Sequence, residues 1–575
     1  MRFLVYTPVS EDALQQKLGT AEYSYFFVMK GFVRVLAELG EIVPIADPQT
    51  EADPIYRAAL AEGEDCRLFC FCPPNRAPVG LEVPTTVVLA WEFADLPCYT
   101  WDDEPRNDWR NVLADHGNLI TLSRQSAGVV KATMGDDFPV AAIPVPVFDI
   151  FNRGQRGHSP TIPGTTEIHF QGRMIDSREV DYVDDSVELT DPLAFCSQTF
   201  DGNPRRFDFA SSSSEPQYLL GFYDPEDWGS WSRTATPSVM LPFAIQGKIK
   251  LSLMAVGQGY NVGRQITVSA GGASQTITLL AQPKKYEFTL NVQRPTNLIN
   301  FSGLDARSYP GTMDVRTLGM GILSLSLRQA GLLRALRKPT SDPAAQPPEP
   351  PQTLRLSGVV YTSVLNPQDG RKNWHDIVSA FIHAHRDHPD ATLVLKMSHH
   401  SVASFVGDIL TDLRVNGEAR CRVVAIHGYL PDEDLAALIA STSFYVNASK
   451  GEGLCLPLME FMSDGVPAVA PDHTAMADYI DALSTFVVES CPIPTAWPND
   501  PLRRVNTLYA RIDWESLMQQ FRASYEVATT DPARYEQMSR AAIQTQRTYS
   551  ADSVVAQKLA DFLSSVSPAA LAGQS

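Results

Sequence analysis

The 575-residue chain is too long for a single hydrophobic core and should divide into roughly two to four domains. Its 44% hydrophobic and 20% charged residues are those of a soluble globular protein, and no apolar run reaches the roughly 18–20 residues of a membrane span. A formal net charge of −19 excludes the broad basic surface that nucleic-acid binding needs, but not a phosphorylated small molecule held by a few local donors.

Taken in chain order, residues 1–155 alternate strands with amphipathic helices. FLVY at 3–6 reads as the first strand, and its surroundings lack the long apolar core and cleavage site of a signal peptide, so a cytoplasmic protein is expected. EIVPIA at 41–46, RLFCFC at 67–72, TTVVLAWEF at 85–93, NLITLS at 118–123 and VAAIPVPV at 140–147 follow as strands. Between the first two, SYFFVMKGFVRVLAELG repeats its apolar residues at helical spacing and stops at Gly40. Such alternation predicts a parallel sheet covered on both faces. Cys66, Cys70 and Cys72 lack a CxxC spacing and read as buried thiols, with the last two on one strand face.

Between 156 and 330 the texture changes to short alternating runs such as KIKLSLMAV, QITVSA, YEFTLNV and GILSLSL, punctuated by GQGYN, AGGAS and QPKK. These predict an inserted antiparallel β-sandwich of the jelly-roll kind. Within it, FYDPEDWGSWSRT at 222–234 places Trp228 and Trp231 among carboxylates, where they either stack on sugar rings or fill the sandwich core. LRQAGLLRALRKP at 327–339 reads as a short basic helix. Its Arg328, Arg334, Arg337 and Lys338 lie beside Leu332, Leu333 and Leu336, as either a linker packed on the sandwich or a peripheral contact with anionic lipid. A proline-rich spacer, TSDPAAQPPEPPQ, completes a linker over 331–353. From 354 to 575 strand–helix alternation returns, with LSGVVYTSV, ATLVLKM, CRVVAIHG, SFYVNAS and PAVAP as strands and a mostly helical end.

Residues 444–480, FYVNASKGEGLCLPLMEFMSDGVPAVAPDHTAMADYI, carry the chemistry. A strand ends near Asn447, a glycine-containing loop follows, Pro457 falls in the first helical turn, and Gly465 caps the helix. This directs the amides of Gly453, Leu454 and Cys455 into the crevice at the strand's carboxyl end, where a helix N-terminus favours an anion such as a diphosphate. Glu452 and Glu460, seven residues between them, can each accept hydrogen bonds from vicinal hydroxyls. On spacing alone they are equally a loop and a surface glutamate. No D-x-D pair sits at a strand end, and His383, His385 and His388 read as solvated surface histidines, so no metal is expected.

The stretch HGYLPDEDLAALIASTSFYVNASKGEGLCLPLMEFMSDGVPAVAP resembles the donor-site signature of family four of the retaining GT-B glycosyltransferases. Its landmarks are Gly428, Leu435, Glu452, Gly453, Pro457, Glu460, Gly465 and Pro467. The resemblance is close over 354–480 and loose over the first 150 residues. It implies a GT-B fold of two Rossmann-like lobes and a nucleotide-diphosphate sugar as donor. Glu452 would contact the sugar hydroxyls, Gly453, Leu454 and Cys455 would offer amides, and Glu460 would bind the ribose. A basic pair on the diphosphate is also implied, but Ser363 or Asn366 stands where its first member is expected. Lys372 is then the first choice, with Arg371 and Lys396 to complete the clamp, Lys396 being equally an ordinary surface lysine. On the acceptor side, Gly19 in GTAEYSYFF, Trp91, Glu92 and Asp95 in AWEFADLP, and Ser123 with Arg124 are candidates, with Glu92 as proton acceptor; His116 reads as structural. The expected activity is retaining transfer of a hexose to a glycan or lipid-linked acceptor in surface polysaccharide or lipopolysaccharide synthesis. The alternatives are a non-catalytic glycan-binding scaffold of the same shape, or a phosphorylase or sucrose-type synthase.

Overall fold

The computed structural model describes residues 1–9, 23–100, 104–153, 161–180, 199–210, 218–307, 316–330, 351–398, 403–428, 430–497 and 506–566. The first lobe is a parallel sheet of β1 (Arg2–Tyr6), β2 (Glu41–Pro44), β3 (Cys66–Phe71), β4 (Thr85–Leu89), β5 (Leu119–Thr121) and β6 (Val140–Ala142), in the order β2-β1-β3-β4-β5-β6. Its crossovers include α1 (Tyr23–Leu39), α2 (Pro48–Ala61), α3 (Trp109–His116) and α4 (Arg124–Met134). β3, β4 and β5 are buried at every position, as parallel strands covered on both faces must be. α1 buries Tyr25, Val28, Phe32, Val35 and Leu36 in the same core as Phe3, Phe69 and Phe71. It ends before Gly40, where only glycine fits because any Cβ would lie 2.2 Å from the Met1 carbonyl oxygen. Cys66, Cys70 and Cys72 are buried thiols, as expected. After β6 a short α5 (Phe148–Phe151) leads out of the lobe.

The chain then enters the second lobe earlier than the texture change at 156 implies. β7 (Ile162–Gln171) alternates like a sandwich strand, but it and β8 (Arg173–Asp176) pair antiparallel with strands of the C-terminal sheet. Alternation marks a strand and not its partner, so this difference was not legible locally. The antiparallel unit holds β9 (Arg205–Asp208), β10 (Leu219–Leu220), β11 (Ser230–Trp231), β12 (Ser238–Gly257), β13 (Gln265–Ala270), β14 (Ala273–Thr278), β15 (Lys284–Ser302) and β16 (Met320–Gln329). Its order is β11-β16-β12-β15-β13-β14, with β10 on β12 and β9 on β16. β12 and β15 run 20 and 19 residues. Register shifts around Ile245 divide them, so that β16 pairs with one half of β12 and β10 with the other. Both halves feed one core that includes Phe209, Leu241, Ile245, Leu251, Ile299 and Phe301. Trp228 and Trp231 are half-buried and meet edge to face at 5.1 Å, neither plugging this core nor standing clear of it. Of the expected basic helix, Leu327–Gln329 continue β16; residues 331–350, with the rest of that expected helix and most of the spacer, lie outside the described residues.

β17 (Pro351–Leu365) is the central strand of the second lobe. With β18 (Ala391–Met397), β19 (Arg422–His427), β20 (Phe444–Val446), β21 (Ala468–Ala470) and β22 (Thr485–Val487) it forms a parallel sheet ordered β22-β21-β20-β17-β18-β19, extended by β8. The antiparallel unit is therefore inserted into the second lobe, between β8 and β17. α6 (Trp374–His385), α7 (Ala403–Asn416), α8 (Asp432–Ala440), α9 (Leu456–Ser463), α10 (Trp514–Thr530) and α11 (Pro532–Ser550) cover the sheet. α12 (Asp552–Ser565) crosses back to the first lobe, where Asp552 Oδ1 accepts from Arg34 Nη2 at 2.6 Å and the Val566 carbonyl accepts from buried Arg67 at 3.1 Å.

A hairpin of β23 (Ser490–Ala496) and β24 (Asn506–Ile512) leaves the second lobe and grips the first. Trp497 is buried in the first lobe's core beside Trp91, ring centroids 6.3 Å apart. Tyr509 stacks on Phe93 at 5.7 Å, and the Ala94 amide donates to Thr507 Oγ1 at 3.3 Å. No helix among the described residues is long and apolar enough to cross a membrane.

Candidate active site

In the second sheet β17 continues to β18 on one side while β20 lies on the other, so the loops after β17 and β20 flank a topological switch point, where ligands of open α/β sheets bind. The loop after β20 turns into α9 through Cys455, whose φ of 65° and ψ of 63° are left-handed. That conformation is costly for a residue with a Cβ and persists only where the surroundings enforce it. Here Asn447 Nδ2 lies 3.1 Å from its thiol. Pro457 is the second helical residue, and Gly465, with φ +88°, follows the last turn as expected. No main-chain acceptor among the described residues takes the amides of Gly453, Leu454 or Cys455. They lie at the N-terminus of α9.

Glu452 lies 4% exposed at the centre of this loop. Lys372 Nζ donates to both its oxygens at 2.7 and 2.9 Å, Ser449 Oγ donates at 2.6 Å and Asn447 Nδ2 at 3.2 Å. Burial by itself would raise the carboxyl; the Lys372 ammonium and Arg371 guanidinium outweigh it and hold Glu452 at about 2. Arg371 shares the loop after β17. Its Nη1 donates to the Gly451 carbonyl at 3.0 Å and pairs with Glu92 at 2.7 Å, while Nη2 pairs with Asp369 at 2.8 Å. The two loops are stitched together by the Lys450 amide on the Arg371 carbonyl at 2.7 Å.

Lys396, next to last in β18, is 8% exposed, which overturns the alternative of an ordinary surface lysine. Its ammonium donates to Ser398 Oγ at 2.6 Å, and burial lowers it to about 8. On α9, burial raises half-buried Glu460 to about 7, against the pull of Lys396 and with the push of Asp432. Glu460, Lys396 and Asp432 form a second, weakly paired charge group beside the Glu452 network.

From the first lobe, Glu92 reaches the network and the side chains of Trp91 and Ser123 do not. Trp91 is 7% exposed, packed on Phe93 and Trp109, with its indole bonded to the Asp95 carbonyl at 3.0 Å. What it lends the site is backbone: a Cβ on Gly453 would stand 3.0 Å from the Trp91 nitrogen. Ser123 is fully buried and caps α4, accepting from the Ser126 amide at 3.2 Å. Its neighbour Arg124 binds Asp478 of the second lobe through both main chain and side chain, at 2.8 and 2.9 Å. Gly19 lies outside the described residues. His116 is structural as expected, bonded to the Pro78 carbonyl at 2.7 Å. His385 is not a surface histidine: it is fully buried against Tyr361, and burial lowers it to about 3. Among the described residues no cluster of three or more His, Cys, Asp or Glu could hold a metal ion.

Sequence reasoning missed Asp369, Ser449 and the hairpin arm. Asp369 opens the turn D-G-R-K, a legible signal, and holds the Arg371 amide at 3.1 Å as well as its guanidinium. The arm gave none, because Pro492 and Pro494 argue against a strand unless it is an edge. Gly428 owes its place in the motif to packing: with φ +141°, a Cβ there would stand 2.5 Å from the Gln171 carbonyl oxygen, in the β7–β8 turn.

Comparisons with known proteins divide along these units. Residues 199–329 match a model described as a domain of unknown function, DUF7024. The O-antigen chain mannosyltransferase B of Escherichia coli is 30% identical over 112 residues, which cover 17% of this chain and 29% of that protein. The chain thus spans less than a third of the curated relative it matches. The Anabaena protein HepE, solved with UDP and glucose, shares 16% identity over 36% of this chain and 49% of its own, at a TM-score of 0.28. The pneumococcal O-GlcNAc transferase GtfA, solved with UDP and GlcNAc, shares 17% identity over 36% of each chain, at 0.26. Residues 358–497, which include Lys372, Glu452 and Glu460, match the model described as glycosyl transferases group 1.

Proposed function

We propose that the chain is a retaining glycosyltransferase that moves a hexose from a nucleotide-diphosphate sugar to a glycan or lipid-linked acceptor in surface polysaccharide or lipopolysaccharide synthesis. The observation that carries this reading is the buried Lys372–Glu452 pair at the switch point, beside the amides that open α9. The diphosphate would lie against Lys372, Arg371 and those amides, which stabilise it as it departs without a metal ion. Glu460 would accept the ribose hydroxyls, with Lys396 nearby. Glu452 would hold Lys372 and reach the sugar hydroxyls. The acceptor hydroxyl would enter from the side of Glu92, on the face of the sugar that the diphosphate leaves, and a phosphate oxygen would help take its proton. Glu452 and Glu460 share one lobe and do not flank a scissile bond, so they are not the carboxylate pair of a glycosidase.

The glycan-binding scaffold is the second reading, favoured by Ser363 standing buried where a first phosphate-binding cation is implied. A panel of UDP-, GDP- and ADP-sugars separates the two. Saturable binding and hydrolysis of one donor, lost in Glu460→Ala, is expected; binding of none of them would leave the scaffold.

A further inference from the structure

The Glu452 network holds two cations, Arg371 and Lys372, against three carboxylates, Glu92, Asp369 and Glu452. All five side chains are largely shielded, the most exposed being Asp369 at 27%. A nucleoside diphosphate brings at least two further negative charges, and so many like charges in a poorly solvated cleft repel unless one carboxylate withdraws.

The structure distinguishes which one. Glu452 is fastened by four hydrogen bonds from Lys372, Ser449 and Asn447. Asp369 is fastened to its own turn, accepting the Arg371 amide as well as the guanidinium. Glu92 alone comes from the other lobe, and Arg371 is the only cation paired with it among the described residues. Burial raises its carboxyl against the pull of Arg371, so it is the least comfortable of the three as an anion. Its loop is pressed onto the site by the hairpin arm, through Tyr509 on Phe93 and Thr507 on the Ala94 amide.

We propose that the Glu92–Arg371 pair is an interlobe latch, which the diphosphate opens by taking Arg371 and which thereby frees Glu92 to receive the acceptor hydroxyl. Glu92 is then a positioning residue for the donor and an acceptor ligand afterwards, and binding is ordered, donor first. Arg371, beside Lys372, then supplies the phosphate cation that Ser363 does not. This rests on the donor-site reading above, and the test separates the two.

Titration calorimetry on the full chain uses UDP and GDP as probes. Glu92→Gln removes the charge at nearly constant shape, so the preferred nucleotide should bind about tenfold tighter, one charge-assisted hydrogen bond no longer having to be broken. Glu92→Ala should tighten it likewise, which guards against a folding artefact in either variant. A merely structural glutamate would weaken binding or leave it unchanged when lost. Asp478→Asn breaks a different interlobe pair, Arg124–Asp478, away from the network, and should leave the affinity as it is. In an Arg371→Ala background the gain from Glu92→Gln should vanish. Wild-type binding without tightening in either Glu92 variant overturns the latch and leaves the donor site standing. Equal tightening by Asp478→Asn overturns it in favour of general loosening of the lobes. Binding of neither nucleotide to any variant overturns the donor site, and the latch with it.

Discussion

Glu452→Gln tests whether the buried charge network has the energetic weight its geometry implies. The substitution keeps the size of the side chain but leaves the Lys372 ammonium facing an amide in place of a carboxylate. Glu452 is held at about 2 against an ordinary 4.5, and at about 1.36 kcal/mol per pH unit the difference corresponds to about 3 kcal/mol. Breaking one partner of a buried ion pair typically costs about 3–5 kcal/mol, an independent route to the same magnitude. The sign follows from the depressed folded-state value. The contribution is full above the unfolded value near 4.5 and is lost as pH falls through about 2. The gap between wild type and variant should therefore be flat from pH 8 to pH 5 and shrink to about half near pH 3. A chain with several domains does not unfold in two states, so the assay is amide exchange over residues 444–470. There the variant should open about 100-fold more readily at pH 7. Adding Lys372→Met should recover part of the loss, because replacing both charges costs less than orphaning one. A variant within about 0.5 kcal/mol of wild type at pH 7, or a double variant that loses the sum of the two single losses, refutes the reasoning.

Two further outcomes follow from other parts of the site. With Glu460 raised to about 7, its ionised form, the one able to accept two ribose hydroxyls, is mostly absent at pH 6 and mostly present at pH 8. Nucleoside diphosphate should then bind about tenfold tighter at pH 8 than at pH 6 beyond the change seen in Glu460→Gln, and parallel profiles for the two proteins would exclude that role. Trp497→Ala empties a buried aromatic site at a cost of about 3–5 kcal/mol, and should raise amide exchange in residues 91–97 and 490–512 while β17–β20 keep their protection. Unchanged exchange at 91–97 would show that the arm does not secure the Glu92 loop.

Local pattern determined the strands, the helices between them and the glycine-bounded turn that carries Glu452 and Glu460. Each of these depends on residues close in sequence: the period of the apolar positions, Pro457 in the first helical turn, Gly465 after the last. Glu92 was legible as a residue type at a strand end, because the carboxyl edge of a parallel sheet is where such loops must fall, whereas Lys372 and Arg371 were legible as the basic pair that the family resemblance implies. Tertiary structure alone decided their partners. Nothing near Glu92 in sequence indicates Arg371, nor does anything near Trp91 indicate that its ring turns to Trp109 and Trp497 and away from the cleft. The same holds for β7, whose alternation specifies one buried face but not the sheet that buries it. His385 reads as a surface residue, and Lys396 equally as a surface lysine or a clamp residue, because burial is a property of what packs above a position, and the elements that do so lie elsewhere in the chain. Short-range sequence sets backbone conformation, while pairing across hundreds of residues sets burial, and burial sets the ionisation and reach of the charged groups on which the chemistry depends.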